Sequence, residues 1–330
     1  MRDSANDAFF TAESLENLSE ALVREGIQNS LDAAQRDQGT VRQIRVRIVF
    51  QPKASEAARR FLVEQFKPAR EHFSLGIGLA TIDEVFGDDL GYLVFEDFGT
   101  RGLTGDVNEY RLEHAERNAF FSFFRAEGRS AKMGENLGRW GIGKQVFPAA
   151  SRLHAIFGLT VRGDSPKRVL MGSSVVRSHT IAGTDFQPDA WFGCRVQDDE
   201  PVLPVTDAEF LDEFSSVFGL ERKDQTGLSI IVPAVDERLN TDDLRRGIVR
   251  SFFWPILLGE LEVRLETPAR SWLINAETLT GHRELLPAAE AAVIEFAGWA
   301  STAKPAEVVG LSDHAAIRPQ WSQVADQLLP

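Results

Sequence analysis

Three groups of residues combine type and spacing in ways that could do chemistry. The first is Glu25-Gly-Ile-Gln-Asn29-Ser30-Leu31-Asp32-Ala33. On a helix, steps of four and three bring Glu25, Asn29 and Asp32 within roughly 60° of one another. The second is Glu96-Asp97-Phe98-Gly99-Thr100-Arg101-Gly102-Leu103-Thr104-Gly105, directly after an apolar run. A carboxylate at a strand end can accept a hydrogen bond from a base amino group, and glycines let the backbone pass close to a flat ring. The third is Gly138-Arg139-Trp140-Gly141-Ile142-Gly143-Lys144, opening a helix. Backbone amides freed by glycines at a helix N-terminus form an anion nest. Taken singly, the three read as a solvated helix face, an Asp-Gly turn and a flexible loop. Two features set the first apart. Leu18 and Leu22 share its face one turn upstream. Gly26 sits in mid-helix at a cost of about 1 kcal/mol relative to Ala, which points to something close to the backbone there.

Holding these groups requires a helix, a strand end and a loop leading into a helix. Residues 14–37 have a helical pattern, with Ser14 as N-cap, Glu16 and Glu20 in the early turns and Gly39 past the end. Ile44 to Phe50 alternates as a half-buried strand with Arg45 and Arg47 on a solvated face, and Gly91 to Glu96 reads as a buried strand. Residues 54–67 suggest a polar helix or an excursion, and 107–126 a helix carrying Phe120, Phe121, Phe123 and Phe124 as core. A glycine-rich loop, 128–143, leads into a helix from Lys144 to His154. Strands near 155–162, 168–177 and 228–235 and a helix near 207–218 follow. A second unit begins near Asn240 with a helix carrying core Phe252, Phe253 and Trp254, then a hairpin (LEVRLE and SWLIN). The Ala-rich last fifty residues read as a linker or as a segment cut short at Pro330. The chain thus divides into 1–236 and a smaller α/β unit, 237–330.

Composition narrows the function classes. The 330 residues are 43% hydrophobic and 26% charged, an ordinary globular balance. A formal charge of −13 argues against a protein that coats nucleic acid over its whole surface. The single cysteine, Cys194, fits a reducing compartment and reads as structural. The start carries acids where a secretion signal would carry basic and then apolar residues, and no run of about 18 apolar residues suggests a membrane span. A cytoplasmic protein with no membrane partner is expected. No histidine pairs with cysteine at zinc-ligand spacing.

Gly138 to Lys144 also fits the GxxxxGK core of a P-loop, but Gln145 stands where that loop needs Ser or Thr, and the acidic strand precedes the glycines. In order, ExxxNSxDA on a helix, DxGxxG after a strand and GxxGxGK opening a helix resemble the GHKL ATPase family. That family includes DNA gyrase B, heat-shock chaperones, histidine kinases and MutL. The resemblance covers about residues 14–235, and GRWGIGKQVF is most similar to the chaperone and MORC side.

The resemblance implies an α+β fold of the Bergerat type, a mixed, mostly antiparallel sheet with helices on one face, and binding of ATP and Mg. It makes Glu25 the general base, Asn29 the magnesium ligand and Asp32 an acid on the nucleotide side. Asp97 becomes the acceptor for the adenine amino group, with Gly99 and Gly102 beneath adenine and ribose. Gly138, Gly141 and Gly143 become the lid over the phosphates, with Lys132 and Lys144 as candidate cations. Two departures stand out. Thr100 and Arg101 separate Gly99 from Gly102, and Thr226-Gly227 reverses the family's Gly-Thr pair. Thr226 or Ser229, or neither, supports Asp97. Arg245, Arg246, Arg250 and Lys304 are candidates for a cation sent to the terminal phosphate from the second unit. The implied function is an ATPase switch or dimerising clamp acting on a protein or DNA partner, with DNA repair and anti-phage systems as analogies. A non-hydrolysing nucleotide-binding scaffold and histidine-kinase-type phosphotransfer are the alternatives; the second lacks a phosphoacceptor-helix signal.

Overall fold

The computed structural model describes residues 17–37, 40–41, 43–78, 82–87, 89–110, 118–125, 142–195 and 201–302. Asn17 opens the first helix, α1 (Leu18–Asp32): its Oδ1 accepts from the Glu20 amide at 3.0 Å, satisfying one of the orphan donors of the first turn. Ser14 and Glu16 lie outside the described residues. The helix stops at Asp32, short of the expected residue 37, because the chain is captured by the loop after the strand at 92–98. Ala34 bridges Thr100, and the Gln35 amide donates to Gly99 O at 2.9 Å. Arg36–Asp37 (β1) then pairs with Thr40–Val41 (β2).

The remaining elements are β3 (Ile44–Gln51), α2 (Glu56–Phe66), α3 (Arg70–Ile77), α4 (Ile82–Val85), β4 (Tyr92–Phe98), α5 (Ala119–Phe124) and α6 (Ile142–Ala149). They continue through β5 (Ala155–Val161), β6 (Arg168–Val175), β7 (His179–Ile181), β8 (Thr184–Phe186), β9 (Asp189–Phe192) and α7 (Ala208–Val217). The chain then forms β10 (Gly227–Pro233), α8 (Thr241–Leu257), β11 (Leu261–Glu266), β12 (Ser271–Ile274) and α9 (Ala288–Thr302). Among the described residues, eight strands form one sheet in the order β12-β11-β3-β4-β10-β5-β6-β9. Every neighbouring pair is antiparallel except β11 with β3. The fold is thus mixed α/β with a large, mostly antiparallel sheet.

Helices cover both faces, which corrects the expectation of cover on one. Leu22 and Ile27 of α1, Phe147 of α6 and Phe252 of α8 pack on Val46, Ile48, Phe95 and Ile230. On the other face Phe61 and Phe66 of α2, Phe73 of α3 and Phe214 of α7 pack on Val94, Phe157 and Ile231. β4, β5 and β10 are buried at all seven positions, so they have no polar side to leave in water. This also corrects the polar reading of 54–67. Ala58, Phe61, Leu62 and Phe66 form a buried stripe on α2, which Ser55 caps.

Of the helix expected over 107–126, the described residues show α5, which Asn118 begins: its Oδ1 accepts from the Phe121 amide at 2.8 Å. Residues 111–117 lie outside the described residues. Phe120, Phe121, Phe124 and Phe252 are core as expected, whereas Trp254 is 46% exposed. Arg47 is not on a solvated face: it pairs with Glu96 at 2.8 Å and Glu266 at 2.9 Å. The hairpin β11–β12 joins the same sheet through β3, so the sheet runs unbroken past residue 236. Residues 288–302, within the stretch read as a linker, are helical. Among the described residues no helix is long and apolar enough to cross a membrane.

Candidate functional site

The site is built around Asp97, near the end of β4 and 6% exposed. Ser30 Oγ lies 3.2 Å from Asp97 Oδ2 and 3.1 Å from Gly26 O, so its proton is shared between them. Asp97 Oδ1 accepts from Thr100 Oγ1 at 2.8 Å and from the Leu228 amide at 2.7 Å. Burial pushes this carboxyl up. Arg222, the Leu228 amide, Thr100 and Ser30 pull it back, and on balance it titrates above the ordinary aspartate value.

The first and second sequence groups therefore meet, although Ser30 and Asp97 stand 67 residues apart. Two backbone bonds strap the loop after β4 to the end of α1: Gln35 N to Gly99 O at 2.9 Å and Arg101 N to Ala33 O at 3.0 Å. The loop needs its glycines for its own course. Gly99 has φ +89 and Gly102 φ +66, and a Cβ at Gly102 would stand 2.4 Å from Val161 O. Gly26 has a similar explanation. A Cβ there would meet Phe95 and Phe147 ring carbons at 2.9 Å, so the close neighbour is the protein's own core. That contact also sets α6 against α1.

Along α1, Asn29 and Asp32 are exposed and Glu25 is half-buried. Arg24 Nε donates to Glu25 Oε1 at 3.0 Å, and Gln28 Nε2 to Asp32 Oδ1 at 2.9 Å. Gly143 and Lys144 fall in the first turn of α6. Lys132, Gly138 and Gly141 lie outside the described residues, as does Lys304. Neither Thr226 nor Ser229 bonds to Asp97. Thr226 Oγ1 accepts from Gln35 Nε2 at 3.0 Å, and Ser229 Oγ donates to Glu96 Oε1 at 2.9 Å. The candidate cations of α8 are engaged elsewhere. Arg246 pairs with Asp243 at 2.8 Å and Arg250 with Glu20 at 2.8 Å, while Arg245 lies over Trp272.

Sequence reasoning missed Ser30, Thr100 and Arg222. Ser30 and Thr100 stood inside the motifs, each next to a chosen residue. Arg222 had no local signal. It is 1% exposed, donates from Nε to Ser229 Oγ at 2.8 Å and from Nη1 to Gln225 O at 2.9 Å, and its Nη2 bonds to the backbone oxygens of Asp97 and Leu228.

Among the described residues no group of three or more His, Cys, Asp or Glu could hold a metal ion. A cavity of about 350 Å³ lies on the opposite face of the sheet, walled by Phe66, Phe73, Phe157 and Phe192, away from Asp97. The site as described offers one buried anionic acceptor and, on the helix that touches it, exposed carboxylate and carboxamide oxygens. No protein-family model matches the chain, and no curated protein sequence matches it.

Proposed function

We propose that the chain is a magnesium-dependent, ATP-hydrolysing domain of the GHKL type, acting as a conformational switch or dimerising clamp on a protein or DNA partner. The observation that carries this reading is the contact of Ser30 with Asp97, reinforced by the two backbone bonds from Gly99 and Arg101 to the end of α1. Contact between two motifs far apart in sequence is what a common ligand would require.

The residues present fit such a ligand. A carboxylate oxygen offers two lone-pair directions, and among the described residues Ser30 addresses one at Oδ2. The other can accept an exocyclic amino hydrogen. The exposed carboxamide of Asn29 is an oxygen donor suited to magnesium, which keeps several waters and phosphate oxygens as its other ligands. Bound magnesium would supply charge neutralisation at the phosphates. Glu25 orients and deprotonates the attacking water. Its pairing with Arg24 is partly solvated and therefore weak, so the carboxylate can turn to that water. On the resemblance, the amides of Gly138, Gly141 and Gly143 would cover the phosphates, with Lys132 or Lys144 adding charge.

Removing Glu25 tests the reading. Glu25→Ala retains ATP binding and loses hydrolysis by a factor of about 100 to 10,000, the usual contribution of a general base. Binding measured by calorimetry and turnover by phosphate release separate the two effects. Parent-like turnover in this variant would remove Glu25 from the role, and an absence of saturable ATP binding by the parent would overturn the function itself.

A further inference from the structure

Two carboxylates, Glu96 and Asp97, are buried side by side in sequence on β4, Glu96 with no exposed surface at all. Burying two such charges is costly unless each meets a cation or several donors. Arg47 Nη1 reaches Glu96 Oε2 at 2.8 Å, and the Glu221 and Arg222 amides and the Ser229 hydroxyl complete that carboxylate. Among the described residues, the guanidinium beside Asp97 is that of Arg222, whose Nη2 stands 3.7 Å from Oδ1 and also bonds to the Asp97 backbone oxygen. The face of Arg222 lies 4.8 Å over the Phe98 ring.

The chain makes room for this guanidinium. A Cβ at position 227 would stand 2.4 Å from Asp97 O and 2.6 Å from both Asp97 Oδ1 and Arg222 Nη1. Glycine is therefore required at 227, and the Thr-Gly order follows from that contact. Among the described residues, the groups facing Asp97 are Ser30 from α1, Thr100 from the loop, the Leu228 amide from β10, and Arg222, which supplies the positive charge.

We propose that Arg222 is a positioning residue that sets base choice: it holds Asp97 as a pure hydrogen-bond acceptor, so the site takes a purine nucleotide bearing an exocyclic amino group where adenine has one and rejects a base with a carbonyl there. The inference rests on the nucleotide-binding reading and deepens it. A carboxylate accepts from the adenine amino group and repels the guanine or hypoxanthine oxygen. A protonated carboxyl could donate to that oxygen instead, and discrimination would fall. Sites built on such a polar match discriminate by large factors because the wrong partner leaves a buried group unpaired.

The test measures ATP, GTP and ITP affinities of the parent, R222K and R222Q between about pH 5.5 and 8, the range over which a raised carboxyl pKa would show. The parent is expected to prefer ATP over ITP by about 100-fold or more, nearly independently of pH. R222Q is expected to lose most of that preference, to about 10-fold or less, and to lose it further as pH falls. R222K, which keeps the charge, is expected to restore the flat pH profile at reduced affinity. A parent-like preference and profile in folded R222Q overturn the role of Arg222 while leaving ATP binding in place. A parent that binds none of the three nucleotides overturns the nucleotide reading and this inference with it. Should R222Q fail to fold, the carbon-13 carboxyl resonance of Asp97 in the parent decides. An ionised carboxylate at pH 7, about three units above the ordinary aspartate pKa, supports the proposal, and a protonated one overturns it.

Discussion

At the scale of single residues, Asp97 concentrates the account. Its carboxylate is buried, takes bonds from a helix, a loop and a strand, and has a guanidinium beside it. Ser30→Ala leaves Oδ2 without its hydroxyl partner and is expected to cost about 1–3 kcal/mol of stability, read from urea unfolding. It also removes one influence that holds the carboxyl down, so ATP affinity should weaken more at pH 6 than at pH 8. Asp97→Asn puts an amide where an acceptor is needed and is expected to weaken ATP binding at least tenfold, about 1.4 kcal/mol, without changing the fold seen by circular dichroism. Unchanged affinity would contradict the base-acceptor role.

Elements bring these residues together, and their packing leaves little slack. Gly26→Ala gains about 1 kcal/mol of helix propensity but drives a methyl into Phe95 and Phe147, an overpacking cost of about 1–3 kcal/mol, so a net loss of up to about 2 kcal/mol is expected in denaturation. The elements that carry the site were largely legible in the sequence. Alternating Ile and Val gave away β3, and the apolar run before Glu96 announced β4. The end of α1 was not legible. Residues 33–37 keep a helical composition, but tertiary bonds from Gly99 and Arg101 capture them. Ser30 hid inside a motif read for its Glu, Asn and Asp, because spacing shows which residues share a face and not which one turns inward. Arg222 was invisible for a simpler reason. An arginine in a polar stretch looks solvated, and only tertiary partners, the buried Asp97 and Glu96 together with Ser229 and backbone oxygens, make its burial tolerable. Arg47 was misread on the same grounds.

For the whole molecule, the sheet links the site to the C-terminal strands, since β3 is bonded to β4 on one side and β11 on the other. Arg47, Glu266 and Arg264 tie these strands together through side chains. Burial pushes Glu266 up, but bonds and charge from Arg47 and Arg264 outweigh it and hold the carboxyl below its ordinary value. A carboxylate depressed on folding stabilises above its unfolded pKa, about 4.3 for Glu, and that stability is lost as pH falls through the folded value. Glu266→Gln should therefore flatten the acid limb of the stability curve below about pH 4.5, measured by urea unfolding at stepped pH. A clamp driven by ATP would change its association state, so light scattering with a non-hydrolysable analogue should report a larger species at saturation and the monomer without it. The central claim, that α1 and the end of β4 form one nucleotide site, is tested most directly by amide NMR during a titration with magnesium and that analogue. Saturable shifts at Ser30, Thr100 and Leu228, moved to at least tenfold higher nucleotide in Asp97→Asn, are the expected result; no saturable shift at those amides up to millimolar nucleotide would contradict it.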